Sequence, residues 1–282
     1  MKKHILKITR ENADFQILNA LKTNREKRNK EGFLFEGVRN INNAIQYGWT
    51  IKSFLYSSEK GLSGWARGIL ERSAADTHYD LSPMLLGRLS NKEETSELLA
   101  VAEMKSDDLK RVHVEDKLLV VVFDRPSSPG NLGAIIRSCD ALGVHGLVIT
   151  GHAVDLYDPE TISATTGSLF SLPIVRVPSQ KELMPWIEEI KKRYPDTEII
   201  GTDEKSSKTI YEHDFNKPTV LLAGNEKVGL SAGYKQVADA MVKIPMEGSA
   251  SSLNVAVATS IIIAEICRQR MPGGKGSAIA NG

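Results

Sequence analysis

The sequence predicts an α/β fold in which a mostly parallel sheet carries helices on both faces. Two patterns predict it. Apolar, β-branched runs such as residues 118–123 are typical of strands that are covered on both sides. These runs alternate along the chain with helical segments, which is the pattern of parallel α/β units. A third observation is that polar turns follow several predicted strands, where open α/β sheets bind ligands.

The first part of the chain, residues 1–107, is predicted to form a smaller α/β domain. Its predicted strands and helices alternate over short distances. The predicted elements are a helix over 17–28, a strand over 33–35, a helix over 38–47, a strand over 51–56, a helix over 65–74 and short elements up to residue 101.

A charged stretch poor in large apolar residues follows, and residues 108–116 are predicted to be a linker. Residues 117–272 form the second predicted domain, and the Gly-rich tail 273–282 is expected to be disordered. The predicted elements of the second domain are strands over 118–123, 147–150, 172–177, 198–201, 219–223 and 242–245, and helices beginning at Asn131, over 182–193 and over 253–269.

Length and composition indicate an ordinary globular protein. The chain has 282 residues, of which 41% are hydrophobic, enough for the buried cores of about two domains. Its longest apolar stretch, residues 255–266, contains Thr259, Ser260 and Glu265 and is too short and too polar to cross a bilayer. The N-terminal residues are basic and lack an apolar signal segment, so we expect a cytoplasmic location.

The cysteines and histidines do not form a recognisable metal or disulfide pattern. Cys139 and Cys267 both fall on predicted helices and offer no CxxC pair. The six histidines are scattered along the chain. We therefore expect unpaired thiols that pack as small apolar groups, and no metal site.

Three segments concentrate the polar residues that could carry chemistry: 131–143 (NLGAIIRSCDALG), 221–231 (LLAGNEKVGLS) and 244–265 (IPMEGSASSLNVAVATSIIIAE). Each joins a predicted strand end to a polar turn and then to a helix. None contains a dinucleotide or phosphate-loop fingerprint, which disfavours an α/β enzyme with a nucleotide cofactor of that kind. The candidate residues are Asn131, Arg137, Glu226, Ser252 and Asn254.

The spacing within these segments resembles the SpoU (TrmH) family of RNA ribose 2′-O-methyltransferases. Asn131 and Arg137 keep the six-residue gap of the first family motif. The second motif, Gly-Asn-Glu followed by Gly-Leu-Ser, is matched at residues 224–226 and 229–231. The third, Ser-Leu-Asn-Val at the head of an apolar helix, is matched at residues 252–255. Together the matches extend over about half the chain.

The resemblance implies properties that periodicity cannot show. It implies a trefoil knot, S-adenosylmethionine as cofactor, and a homodimer in which Arg137 reaches into the partner's cofactor site. Gly224, Ile244 and Leu253 are the implied cofactor contacts, largely through the main chain. The implied catalytic residues are Asn131, Arg137, Glu226, Ser252 and Asn254.

The role of Arg137 stays open at this point. In the family this arginine has been proposed as a base for the 2′-hydroxyl, yet a guanidinium stays protonated and has no acceptor. We expect Arg137 instead to bind a phosphate of the target nucleotide and to stabilise the developing alkoxide. Ser252 and Asn254 are expected to orient Arg137 or the ribose.

Simpler roles compete for the other candidates. Asn131 and Ser252 are both good helix N-cap residues. Without the neighbouring motif residues, Arg137 would be interpreted as a surface charge on a helix. Glu226 would be interpreted as a solvated carboxylate in a turn.

The first 107 residues resemble, more loosely, the substrate-binding domain of many family members, which is like a ribosomal RNA-binding protein. Arg25, Arg28, residues 33–37 (FLFEG), Arg39 and residues 98–101 carry this resemblance. Although the net charge of the chain is only +1, residues 1–30 hold nine basic side chains against three acidic ones. We expect Arg25, Arg28 and Arg39 to bind RNA phosphates, although a solvated helix face would explain the basic run equally simply.

The expected function is therefore S-adenosylmethionine-dependent 2′-O-methylation of ribose in structured RNA, with ribosomal RNA favoured because a whole N-terminal domain is present. A tRNA 2′-O-methyltransferase is one alternative. The other is a non-catalytic RNA-binding or ribosome-assembly protein with the same fold.

Overall fold

The computed structural model describes residues 4–271, so the tail predicted to be disordered lies outside the described residues. The strands within that range are β1 (His4–Ile8), β2 (Phe33–Glu36), β3 (Ile51–Tyr56), β4 (Thr77–Leu81), β5 (Leu98–Ala102), β6 (Leu119–Asp124), β7 (Gly146–Thr150), β8 (Ile174–Val177), β9 (Glu198–Thr202), β10 (Thr219–Ala223) and β11 (Ala240–Val242). The helices are α1 (Ala13–Thr23), α2 (Arg25–Glu31), α3 (Val38–Gln46), α4 (Gly64–Arg72), α5 (Pro83–Leu89), α6 (Pro129–Ala141), α7 (Pro159–Thr165), α8 (Ser168–Ser171), α9 (Gln180–Arg193), α10 (Ala232–Val237) and α11 (Val255–Arg270).

The chain divides into two compact units. Unit 1 contains the residues up to Ser106 together with Asp155–Ser171, and unit 2 contains Asp107–Val154 and the residues from Leu172 onward. The first division therefore falls just before the predicted linker. The segment Asp155–Ser171 lies within the range predicted for the second domain, yet it groups with unit 1.

Unit 2 is built on a six-stranded sheet in the order β11-β9-β10-β6-β7-β8. Every strand pair in it is parallel, which confirms the predicted parallel architecture. Strands β6, β7 and β10 are buried along their whole length, as expected for strands with helices on both faces. Their apolar side chains form a core with α9, through Leu183, Ile187 and Ile190.

The topology brings the three sequence motifs to one edge of this sheet. The motifs follow the carboxyl ends of β6, β10 and β11, which lie close together in the strand order. Helices α6 and α11, which follow the first and third motifs, pack against each other. The Ser260 and Ser138 hydroxyls lie 2.7 Å apart across this contact.

Unit 1 has a mixed five-stranded sheet in the order β1-β4-β3-β5-β2, in which β5 is antiparallel to both of its neighbours. Strands β1 and β4, which the pattern did not resolve, pair in parallel at one edge. The core below the sheet is formed by α1 and α5, with Phe15, Leu18, Leu21, Leu85 and Leu89 among its buried residues.

The single helix predicted over residues 17–28 is two helices. Asn24 ends α1, and its side chain also accepts a hydrogen bond from the Lys27 N–H at 3.0 Å, which caps α2. Asparagine suits both positions, because its short polar side chain competes with helical hydrogen bonding inside a helix and replaces it at an N-cap.

Arg28 on α2 is buried, with 3% of its surface exposed. Its guanidinium donates to Asp155 Oδ2 at 2.7 and 2.9 Å, and to the carbonyls of Leu21 at 2.8 Å and Lys22 at 3.0 Å. This pair holds the segment Asp155–Ser171 in unit 1. The structure therefore does not support the prediction that Arg28 binds RNA, since all its polar contacts are made inside the unit.

An aromatic cluster completes the attachment of that segment. Tyr157 and Phe170 pack on Phe33, with ring centroids 4.5 and 6.2 Å away. The Trp49 indole N–H donates to the Phe170 carbonyl at 2.9 Å. Within the part of the chain that the structure describes, no helix is long and apolar enough to cross a membrane.

We predict that Arg28→Met destabilises unit 1. Asp155 would lose its buried cationic partner, and removing one partner of a buried pair costs about 3–5 kcal/mol. The matched control is Arg25→Met on the exposed side of the same helix, expected to change stability by less than about 0.5 kcal/mol. Urea and thermal unfolding measure both variants; equal stability of the two would contradict the structural role of Arg28.

Candidate functional site

A cavity of about 430 Å³ opens in unit 2 beside the carboxyl ends of β9, β10 and β11 and the start of α11. All three residues expected to contact the cofactor, Gly224, Ile244 and Leu253, line it. Glu226 and Ser252 line it as well. The cavity is thus built from the second and third motifs.

Glycine is required at position 224 because two parts of the backbone lie very close together there. The segment that follows β10 folds back, and the Asn225 and Gly229 backbones exchange hydrogen bonds of 3.1 and 2.9 Å. A Cβ atom on Gly224 would lie 2.5 Å from Gly229 C and Leu230 N. Only glycine allows this fold, which brings the backbone to the cavity wall.

The walls combine apolar side chains with unpaired backbone groups. The apolar part comes from Leu230, Val242, Ile244, Val255 and Ile262. Within residues 4–271, the loop 244–253 makes no hydrogen bond, so its N–H and carbonyl groups are available to a ligand. A cavity that combines apolar walls with polar and charged groups suits a ligand with an aromatic ring and polar, charged edges. These residues therefore fit an S-adenosyl nucleoside.

A chain of side-chain hydrogen bonds joins the three motifs at the rim of the cavity. The Asn254 amide donates to Asn131 Oδ1 at 2.9 Å. The Asn131 amide in turn donates to Glu226 Oε1 at 3.3 Å. One residue from each motif therefore takes part, although 95 and 123 residues separate the members of the two pairs.

Glu226 also holds the turn that precedes α6. Its carboxylate accepts from the Ser127 N–H and hydroxyl at 3.0 and 2.7 Å, and from the Ser128 N–H at 3.1 Å. Partial burial raises the pKa of Glu226, but the hydrogen bonds from Ser127 and Asn131 outweigh it, so the pKa lies below its usual value. Glu226 is therefore ionised near neutral pH and poorly suited to accept a proton. These contacts fix the position of the turn before α6, so Glu226 is not simply a solvated carboxylate in a turn.

The helix caps differ from the sequence-based expectations. Asn254, not Ser252, is the N-cap of α11, where its Oδ1 accepts from the N–H groups of Ala256 at 2.8 Å and Val257 at 3.3 Å. Helix α6 begins at Pro129 rather than at Asn131, and Ser128 is its N-cap. Asn131 thus lies in the first turn of α6, where its side chain is free to link Asn254 with Glu226.

Arg137 lies apart from this network. It is exposed on α6, and its guanidinium makes no hydrogen bond or ion pair with any residue between 4 and 271. It does not line the cavity of its own chain. Ser252 is exposed at the cavity and likewise has no hydrogen bond among the described residues, so neither Ser252 nor Asn254 orients Arg137 within one chain.

A second set of contacts, which was not predicted from the sequence, supports the cavity wall. Asp124 is buried at the end of β6, and its Oδ2 accepts from the Ser231 N–H at 2.9 Å and from Arg125 at 2.9 Å. Arg125 has a left-handed backbone, with φ of 54°. Its carbonyl accepts from the Asn225 amide at 2.7 Å. The only sequence signal was the polar turn DRPSSPG between a strand and a helix.

The predicted RNA-binding arginines of unit 1 are in different environments. Arg25 and Arg39 are exposed on α2 and α3, whereas Arg28 is buried. Within residues 4–271, no three histidine, cysteine, aspartate or glutamate side chains are placed to hold a metal ion. Cys139 is buried, and its burial raises the pKa of the thiol, in keeping with an apolar packing role.

Comparison with known proteins assigns both units. The sequence model of the SpoU rRNA Methylase family matches residues 118–264, and that of the SpoU L30e-like domain matches residues 12–100. A 23S rRNA (uridine(2479)-2′-O)-methyltransferase of Streptomyces viridochromogenes is 48% identical over 269 residues, which cover 95% of this chain and 93% of the relative.

Solved structures agree in fold over most of the chain. The SpoU methyltransferase AviRb from Streptomyces viridochromogenes, crystallised with the cofactor AdoMet, has a TM-score of 0.87 and 48% identity, covering 92% of this chain and 98% of that one. The AdoMet-bound rRNA methyltransferase from Sinorhizobium meliloti has a TM-score of 0.82 and 28% identity, covering 95% and 99%. With the three motifs gathered at one cavity, these matches show that the chain belongs to the SpoU rRNA methylase family.

Proposed function

We propose that this protein transfers a methyl group from S-adenosylmethionine to a ribose 2′-hydroxyl of ribosomal RNA. The observation that carries the proposal is the hydrogen-bond chain from Asn254 through Asn131 to Glu226 at the rim of the cavity. It joins all three family motifs beside a space that fits the methyl donor. The family match and the rRNA-modifying relatives support ribosomal RNA as the substrate.

The cavity residues hold and orient the donor. When bound, S-adenosylmethionine supplies the methyl group on a positively charged sulfonium. Gly224, Ile244 and Leu253, which line the cavity, would hold it, and the unpaired backbone groups of the loop 244–253 would offer hydrogen bonds to its polar edges. Alignment of donor and acceptor can be equivalent to about 10⁵–10⁸ M of effective concentration, so positioning supplies much of the acceleration.

The network at the rim keeps the site in one arrangement. Both oxygens of the Glu226 carboxylate already accept two hydrogen bonds each, and its pKa is lowered. Glu226 therefore acts by holding Asn131 and the turn before α6, and not as the base. The proton of the 2′-hydroxyl leaves to water or to a neighbouring acceptor.

Arg137 acts on the substrate of a partner subunit. It has no polar partner within residues 4–271 and does not line its own cavity, so its charge is free for an RNA phosphate and the developing alkoxide. The adjacent helix α11 presents Val257, Ile261 and Ala264 at i, i+4 and i+7 spacing, and Val257 is 49% exposed. We assign this face to a homodimer contact, because a two-fold pairing would bring Arg137 to the neighbouring site.

A tRNA substrate and a non-catalytic RNA-binding role are the competing interpretations. A complete unit 1 favours a large RNA, and the intact motif residues favour catalysis. Mapping 2′-O-methyl positions in RNA from cells with and without the protein separates these possibilities. A new mark confined to tRNA would replace rRNA as the substrate, and absence of any mark would favour the non-catalytic role.

The first prediction concerns Gly224→Ala, which should weaken S-adenosylmethionine binding. The added Cβ must displace the Gly229 and Leu230 backbone at the cavity wall. Overpacking of this kind costs about 1–3 kcal/mol, so we expect about tenfold weaker binding or more by calorimetric titration. Gly64→Ala is the control, since a Cβ there meets no atom within 4 Å and Gly64 does not line this cavity. Unchanged affinity in Gly224→Ala would remove this segment from the binding site.

The second prediction is that Arg137→Ala lowers methylation on the order of 10²–10³-fold, the usual loss when one preorganised charge donor is removed. Donor affinity and thermal stability should stay at wild-type values, because Arg137 makes no polar contact within residues 4–271. Lys192→Ala, at an exposed position of α9, is the matched control and should retain full activity. A loss of donor affinity in Arg137→Ala would argue for a role within the same chain.

The third prediction tests whether Arg137 of one subunit serves the cavity of the other subunit. At a donor concentration that saturates the wild-type cavity but not the weakened Gly224→Ala cavity, a mixture of Arg137→Ala and Gly224→Ala chains should be more active than the sum of the two chains assayed separately. Hybrid dimers would contain one intact cavity served by one intact Arg137. Differently tagged subunits verify that exchange has occurred. Exchange without recovery of activity would show that each chain uses its own Arg137.

A further inference from the structure

Unit 1 contains a second cavity, of about 650 Å³, that the three motifs do not explain. It lies at the end of β2 and the start of α3, and its other lining residues come from the end of α1, from residues 91 and 92 and from the helix α7. Helix α7 belongs to the segment that Arg28 and the aromatic cluster hold in unit 1. The cavity is therefore formed by parts of the chain that are far apart in sequence.

One group of lining residues is cationic and free to bind a ligand. Arg39 and Lys92 are both exposed, and neither charged group has a hydrogen bond or ion pair within residues 4–271. Lys92 Nζ lies beside Gly37, 3.0 Å from the position that a Cβ would take there. The Lys22 ammonium is instead held by the carbonyls of Arg88 and Ser90 at 2.7 and 3.0 Å. Two unpaired cations at one cavity suit a phosphate group.

A second group of lining residues offers hydrogen-bond acceptors. Asn40 Oδ1 is buried and has no hydrogen-bond partner among the described residues. The orientation of the Asn40 amide is fixed by its nitrogen, because Asn40 Nδ2 donates to the Glu36 carbonyl at 2.8 Å. Asp158 and Glu160 add carboxylates from the start of α7. Asp158 Oδ1 already accepts from the Glu160 N–H at 2.9 Å, and its Oδ2 lies 3.9 Å from the Arg28 guanidinium, so each Asp158 oxygen has one remaining acceptor position for a ligand. A buried acceptor without a partner is costly, and a donor on a ligand would remove that cost.

We propose that this cavity binds one unpaired nucleotide of the RNA substrate and selects a base that carries an exocyclic amine. Arg39 and Lys92 contact the phosphate. Asn40 Oδ1 and the carboxylates of Asp158 and Glu160 accept from the amine, as Asp and Glu accept from the cytosine amine in nucleic-acid complexes. A uracil would turn a carbonyl oxygen toward the same acceptors. The proposal rests on RNA being the substrate.

The test compares two fluorescein-labelled single strands of equal length, oligocytidylate and oligouridylate, by fluorescence anisotropy. These bases have nearly the same shape and differ at C4, which carries an amine in cytosine and a carbonyl in uracil, and at the neighbouring N3, which is an acceptor in cytosine and a donor in uracil. The wild-type protein should bind oligocytidylate about five-fold more tightly or better. Equal affinity, tighter binding of oligouridylate, or no binding of either strand would overturn the proposal.

Two double variants test the cationic residues and the carboxylates of the cavity separately. Arg39→Ala combined with Lys92→Ala should weaken binding of both strands and reduce its dependence on salt. Asp158→Asn combined with Glu160→Gln should remove the preference while binding persists; asparagine still caps α7, so folding is retained. Lys60→Ala combined with Arg72→Ala removes the same charges from exposed positions of unit 1 outside the cavity and should match the wild type.

Failure of the nucleotide site can be distinguished from failure of the proposed methylation reaction. Titration of S-adenosylmethionine and methylation of ribosomal RNA by the wild-type protein test the reaction without reference to this cavity. If the wild-type protein methylates RNA while the Arg39 and Lys92 variant binds both strands like the control, the nucleotide site is wrong and the reaction stands. If the wild-type protein binds no donor, the reaction fails, and the strand preference still decides the cavity.

Discussion

The hydrogen-bond chain from Asn254 through Asn131 to Glu226 is the interaction on which the site of unit 2 depends. Each member also has a structural position of its own, since Asn254 caps α11, Asn131 lies in the first turn of α6, and Glu226 holds Ser127 and Ser128. The starts of two helices and the turn after β10 are thereby fixed with respect to one another. Such polar networks favour one geometry, because losing one member leaves a donor or an acceptor of its neighbour without a partner.

The parallel sheet makes that network possible. In a parallel sheet the carboxyl ends of all strands point the same way, so turns that are far apart in sequence meet at one edge. Asp124 and Arg125 reinforce the meeting point from β6 by binding the Ser231 N–H and the Asn225 side chain. The cavity wall is thus supported from the sheet as well as from the helices, which suits a reaction that relies on positioning.

Unit 1 shows how a charged residue can serve structure instead of binding. Arg28 uses its guanidinium to hold Asp155, and this contact, with the aromatic packing of Tyr157 and Phe170, places α7 beside β2 and α3. The cavity of unit 1 owes the carboxylates of Asp158 and Glu160 to that placement. The exposed arginines, Arg25 and Arg39, and Lys92 remain available for RNA. Under the proposed function, unit 1 contacts the RNA substrate and unit 2 binds the methyl donor.

Local periodicity and motif spacing were enough to predict the fold class, the strands at Ile51–Tyr56 and Thr219–Ala223, and the gathering of three motifs. They could not reveal that Arg28 is buried, since its partner Asp155 is 127 residues away and a basic helical run looks the same when solvated. Nor could they show that Asn254 rather than Ser252 caps α11, or that α7 belongs to unit 1. These points emerged from the folded molecule alone, because burial and hydrogen-bond partners depend on which distant segments meet.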